Sequence, residues 1–164
     1  MNWLGEDIQR EITTHDTVLD LGCGIMGAIT TLKCKSILGV DIWDKYLDHI
    51  KHDCPTIKLD MSELDRFMAK SYDVVLCLDV IEHLPKELAL QVLDDIKRIC
   101  RKKAIIYTPI QFKINDQPEE GAWGMGECHY QDHKCLISRA DLVKRKYKVK
   151  NPMEDGWYAI YTKR

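Results

Sequence analysis

Thr17-Val18-Leu19-Asp20-Leu21-Gly22-Cys23-Gly24-Ile25-Met26-Gly27 decides the fold. Val18, Leu19 and Leu21 make a short apolar run around one acid, and glycine follows at 22, 24 and 27. A run of that length bounded by glycine reads as a buried strand over 17–21. The glycines predict a turn where backbone and ligand approach closely, ahead of free N–H groups at the start of the next segment. Alone, a glycine-rich turn is a weak signal.

The same pattern recurs. Residues 36–40 read as a second strand ending at Asp41, residues 56–59 as a third ending at Asp60, and 72–78 as the strongest, ending at Asp79. A fifth, 103–107, stops before Pro109. Between them lie helical patterns at 29–35 and 44–52, and another where Pro85 starts a helix carrying Leu88, Val92, Leu93, Ile96 and Ile99. Residues 2–13 read as a leading helix and 138–146 as a late one capped at its start. Residues 147–149 and 157–162 read as a closing antiparallel hairpin, turned through Asn151-Pro152. Strands alternating with helices imply a parallel sheet whose ligands bind at the strands' carboxyl ends. All 164 residues are expected to form one domain, with 109–134 as an acceptor-binding loop.

Composition narrows the function classes. With 45% hydrophobic and 30% charged residues the chain is ordinary globular protein. Its longest apolar runs, such as 74–78, are too short to span a bilayer. Glu6, Asp7 and Arg10 exclude a signal-peptide core at the start, so the expected location is cytoplasmic. Seven cysteines, odd in number and without C-x-x-C, then read as reduced small hydrophobes. A net charge of −2 gives no strong nucleic-acid signal. The charge is uneven: residues 133–164 hold 9 Lys+Arg against 3 Asp+Glu, and the first 132 hold 15 against 23. That basic segment is a solvated face or a steering surface for an anionic partner.

VLDLGCG, GVDIW, KLDMSEL and YDVVLCLDVIEHLP together resemble a class I S-adenosylmethionine-dependent methyltransferase, similar to the ubiquinone-biosynthesis-type O-methyltransferases and to many small-molecule and glycan methyltransferases. The resemblance covers about residues 15–110. It implies an α/β, Rossmann-like doubly wound sheet, mostly parallel with the antiparallel hairpin at its end. It implies S-adenosylmethionine as cofactor and S-adenosylhomocysteine as product. Asp20, Gly22, Cys23 and Gly24 should line the amino-acid portion of the cofactor. Asp41 should hold the ribose hydroxyls with Ile42 and Trp43 beside the adenine, Asp60 and Met61 should meet the adenine edge, and Asp79 and Val80 should lie near the sulfonium. One departure stands out: where the family reads D-x-G-x-G-x-G, this chain has Met26, and its third glycine is Gly27.

The expected activity is methyl transfer to a nucleophilic atom, an oxygen by preference, of a small-molecule, glycan or lipid-linked acceptor. A hydroxyl acceptor benefits from a base near neutrality, which makes His83 the first candidate and His129 the second. Trp123, Tyr130 and Tyr107 are candidate acceptor contacts. The main alternative is a non-catalytic binding or scaffold protein that keeps the fold. A lesser one is metal assistance: relatives with E-x-x-E-H there bind a divalent metal, and Asp79, Glu82 and His83, completed by His129 or His133, offer a similar set. That metal is less favoured, and no metal ligand is assigned. The same holds for zinc on Cys128, His129, His133 and Cys135, whose spacing is unlike the common knuckles. A dehydrogenase would need a substrate domain for which the chain has little room. No N-P-P-Y or D-P-P-Y follows the fourth strand, which disfavours methylation of base amines. With no long leading lid the site is expected to be open, or covered by 109–134, a second copy or a partner subunit.

Overall fold

The computed structural model describes residues 2–27, 29, 31–50, 54–112, 124–126, 128–150 and 155–163. The strands are β1 (Thr17–Leu21), β2 (Ser36–Asp41), β3 (Thr56–Lys58), β4 (Tyr72–Leu78), β5 (Cys100–Pro109), β6 (Lys148–Lys150) and β7 (Gly156–Thr162). They form one sheet in the order β3-β2-β1-β4-β5-β7-β6. The first five pair in parallel, and β7 runs antiparallel between β5 and β6. This is the expected α/β sheet with its antiparallel end. Leu21 stands opposite both Val40 and Cys77, so β1, β2 and β4 finish level and their following turns meet.

Strand side chains alternate between two cores, as the pleat requires. Leu19, Leu21, Val75 and Cys77 face one cluster. There α3 (Lys86–Ile99) buries Ala89, Val92, Leu93, Ile96 and Ile99, the stripe seen in the sequence. Val18, Val74, Leu76 and Ile105 face the other, against Ile8 and Ile12 at α1 (Asn2–Glu11) and just beyond it. The remaining helices are α2 (Asp44–His49) and α4 (Arg139–Lys144), the latter held by a Ser138–Asp141 capping box. All seven cysteines are free, and five of them are buried.

Several expectations need correction. The helix expected at 29–35 is absent from the described residues there, which make i→i+3 turns such as Leu32 N–H to Ile29 O. β-Branched residues, Ile29 and Thr31 among them, disfavour helix. β5 is longer than 103–107 because β7 pairs with it as far as Pro109 opposite Gly156. The hairpin turn at Asn151-Pro152 lies outside the described residues.

Three of the nine basic residues of the tail are engaged internally. Arg145 pairs with Asp94 and Lys150 with Glu11. The Lys163 ammonium donates to the carbonyls of Lys97 and Cys100 at the end of α3.

At the amino edge of the sheet, buried Asp73 at the start of β4 accepts from the Thr17 N–H and hydroxyl at the start of β1, both at 3.0 Å. Arg101 and Lys102 pair with the same carboxylate. This clamp aligns the two strands whose far ends carry the site. Asp73→Ala leaves the Thr17 N–H without that acceptor and is expected to cost about 2–3 kcal/mol in urea unfolding, with a cooperative transition retained.

Candidate functional site

The glycine turn is seated on the end of β2. The N–H groups of Gly22 and Cys23 both donate to the Val40 carbonyl, at 2.8 and 2.9 Å. The Gly24 N–H donates to one Asp41 carboxylate oxygen and the Trp43 N–H to the other, each at 2.9 Å. Gly22 and Gly24 have φ of +73° and +51°, a region that favours glycine. A Cβ on Gly22 would lie 2.2 Å from Val80 Cγ2, so the turn also presses against the end of β4.

Met26 has φ +57° and is 1% exposed. It therefore keeps the left-handed conformation that the family's glycine permits. That conformation costs about 1–2 kcal/mol for a side chain, an amount comparable with the gain of about 1.5–3 kcal/mol from burying the side chain.

Beside the turn lies a cleft of about 1260 Å³, a volume that accommodates a nucleoside-sized ligand and an acceptor together. Asp20, Gly22, Cys23, Gly24, Asp41 and Ile42 line one part, and Asp60 and Met61 adjoin them. Asp60 also caps its turn by accepting from the Ser62 N–H and hydroxyl. Further along stand Asp79, Val80, Glu82, His83, Tyr107 and Tyr130.

The cleft therefore unites nearly all the candidate residues. Trp43 is an exception: it is not among the lining residues, and its ring stands edge-on to Tyr46 at 4.4 Å. His129 is another, exposed and with its ring tilted against that of Tyr130 at 4.1 Å. Trp123 lies outside the described residues. Sequence reading missed Met26, Asp155 and the α1 residues Gly5, Glu6 and Gln9 as cleft residues. Only the departure from the glycine pattern pointed to Met26. The others arrive through pairing and packing that carry no local motif.

Burial shapes the titrations. Asp20, 3% exposed, is pushed up to about 7 by desolvation, with the Asp41 charge adding to it. Burial also raises Asp41, against the backbone N–H groups that favour its charge. Glu82, 1% exposed, is raised to about 8 by burial and then by Asp79, while the Thr108 hydroxyl donates to it at 3.0 Å. His83 is lowered to about 4 by burial and then by His133, so its imidazole is neutral at pH 7. Its Nδ1 lies 3.3 Å from the Asp132 carbonyl. A carbonyl only accepts, so this contact puts the proton on Nδ1 and leaves Nε2 as an acceptor. The Glu82 carbonyl takes the N–H groups of Lys134 and Cys135, docking that segment against the turn.

Among the described residues, one group of potential metal ligands stands out: Glu82, His83 and His133, whose ligand atoms all lie within 4.8 Å of one another. Asp79, expected in that set, is not in the group, and of the two histidines expected to complete it the group holds His133 and not His129. Cys128 and Cys135 are not in the group, and the Cys135 thiol contacts the Ile81 carbonyl at 3.5 Å.

A parallel sheet with a glycine turn and a carboxylate at the end of the adjacent strand defines a nucleoside-binding α/β enzyme. The model of a family described as "Methyltransferase domain" matches residues 19–108, and the chain belongs to that family. It is an S-adenosylmethionine-dependent methyltransferase. No curated protein sequence matches the chain. Its fold is similar to a SAM-dependent methyltransferase from Archaeoglobus fulgidus, at 16% identity and TM-score 0.69, covering 98% of this chain and 93% of that one. It is also similar to magnesium protoporphyrin IX methyltransferase from Synechocystis PCC 6803 with bound SAM, at 14% identity and TM-score 0.65, covering 99% and 79%. The amino-terminal domain of EvdMO1, crystallised with SAH and D-fucose, matches at 15% identity and TM-score 0.69, covering 98% and 83%. The left-handed glycines, the Asp41 carboxylate and the cleft volume fit S-adenosylmethionine. No helix among the described residues is long and apolar enough to cross a membrane.

Asp20 yields a pH prediction. Its folded-state pKa is raised from the ordinary 3.8 to about 7. Its contribution is therefore complete below the ordinary value and lost as pH rises through about 7. Asp20→Asn removes that loss. At pH 8 the cofactor-free variant is expected to melt roughly 3 °C or more above the parent, with the difference vanishing near pH 4.

Proposed function

We propose that the protein methylates an oxygen nucleophile on a small-molecule, glycan or lipid-linked acceptor, with His83 receiving the proton. One observation carries this reading: the same cleft runs from the glycine turn to His83, Tyr107 and Tyr130. S-Adenosylmethionine, when bound, supplies a methyl carbon made electrophilic by its sulfonium. In this reading Asp20, Gly22, Cys23 and Gly24 hold its amino-acid portion and Asp41 its ribose. Ile42, Asp60 and Met61 border the adenine, and Asp79 and Val80 face the sulfur.

Bound there, the cofactor would pass that methyl to the acceptor oxygen and leave as S-adenosylhomocysteine, and His83 Nε2 would take the proton the oxygen gives up. A base of pKa about 4 supplies little driving force, so alignment does most of the work. A sugar acceptor gains support from the fold neighbour crystallised with D-fucose.

His83→Ala is expected to lower kcat by about 100-fold while leaving S-adenosylhomocysteine affinity, measured by calorimetry, within about twofold. The acceptor is to be found first by transfer of labelled methyl to panels of sugars, phenols and lipid-linked glycans. Unchanged turnover in the variant defeats the base assignment. Cofactor binding without transfer to any of them supports a binding protein instead.

The Glu82–His83–His133 group favours a second reading, in which a divalent metal bound there polarises the acceptor oxygen. Two imidazoles and a carboxylate suit zinc, manganese or iron. This reading expects turnover to vanish on exhaustive chelation and return with added metal. Full activity after chelation leaves the metal-free reading standing.

A further inference from the structure

Gly39, in the middle of β2, has no side chain beneath the glycine turn. A Cβ built there would lie 2.9 Å from Met26 Sδ, 2.9 Å from Cys23 Sγ and 3.2 Å from Thr56 Cγ2. Both sulfurs therefore rest on bare β2 backbone. Residue 23 lies between the two left-handed glycines, and residue 26 closes the turn two residues beyond Gly24. The Met26 N–H donates to the Cys23 carbonyl at 2.8 Å, so the two sulfur-bearing residues belong to one hydrogen-bonded turn. Met26 and Cys23 also share a buried cluster with Ile8, Ile12 and Ile29.

A glycine at position 26 would supply the left-handed conformation without strain but would anchor nothing. Methionine adopts the same conformation and adds a side chain that reaches the core. Its flexible thioether bends to fill an irregular gap, and an apolar side chain of similar volume can take the same seat.

We propose that Met26 is a cofactor-positioning residue: its thioether, seated on Gly39 beside Cys23, holds residues 22–26 in the form that receives the amino-acid end of S-adenosylmethionine. The inference rests on the cofactor reading of the cleft given above. In this chain the turn is pre-organised by burial of a side chain, so ordering it takes less from the binding energy. Gly39 and Met26 act as a pair, because a Cβ at 39 occupies the space of the thioether.

Calorimetry with S-adenosylhomocysteine, on the full chain and well below its melting temperature, tests this. Met26→Gly keeps the backbone conformation and removes the anchor, and is expected to raise Kd about tenfold. Met26→Leu, which returns an apolar side chain to the seat, should recover most of that loss. Gly39→Ala should weaken binding by a similar factor in the parent. In the Met26→Gly background it should add no more than about threefold. A merely structural role would lower the melting temperature of Met26→Gly while leaving Kd unchanged below it.

The inference is overturned if Met26→Gly binds within twofold of the parent, or if the two losses multiply in the double variant. Should Gly39→Ala fail to fold, the comparison of Met26→Gly with Met26→Leu decides alone. A parent that does not bind S-adenosylhomocysteine at all defeats the cofactor reading instead, so the two failures are distinguishable.

Discussion

The Val40 carbonyl accepts two N–H groups, from Gly22 and Cys23, and the rest of the site depends on that crossing. It brings the first turn over the end of the second strand and sets the Gly24 N–H on the Asp41 carboxylate. Such a crossing requires β1 and β2 to be parallel, adjacent and level, as their register makes them. It also requires the absence of a Cβ at Gly22, where Val80 presses from just beyond β4. Three strand ends thus converge on one short piece of backbone.

The part of the cleft around Glu82 and His83 is built on a different principle. Glu82 is buried, and its carbonyl receives the segment at Lys134 and Cys135 while its carboxyl takes the Thr108 hydroxyl. His83 reaches the same segment through Asp132, and its ring meets His133 edge-on at 5.0 Å. Polar groups so desolvated titrate far from their usual values, the carboxyl upward and the imidazole downward. The positions that orient the turn are therefore also the ones with chemistry to offer.

The fold was largely legible because its core strands are short apolar runs with abrupt polar or glycine ends, a pattern that a buried parallel sheet imposes on any sequence. The glycine-turn part of the cleft was legible for the same reason, since Asp20, Gly22, Gly24, Asp41 and Asp60 lie at strand ends or directly after them. Reading failed where the deciding contact is long-range. Trp43 is set outside the cleft lining by a local contact instead, its ring standing edge-on to Tyr46 three residues on. Asp155 reaches the cleft because β7 pairs with β5, which lets the Tyr107 hydroxyl donate to it at 2.6 Å. The helix expected at 29–35 failed because periodicity alone does not register the β-branched residues in it.

By itself the sequence determined the strand ends, the glycine turn and the family, since each is written in consecutive residues and follows from local sterics and burial. Only the tertiary structure decided that Met26 replaces a glycine by resting its sulfur on Gly39, and that His133 joins Glu82 and His83. These partners are far apart along the chain, and packing alone sets how closely they approach.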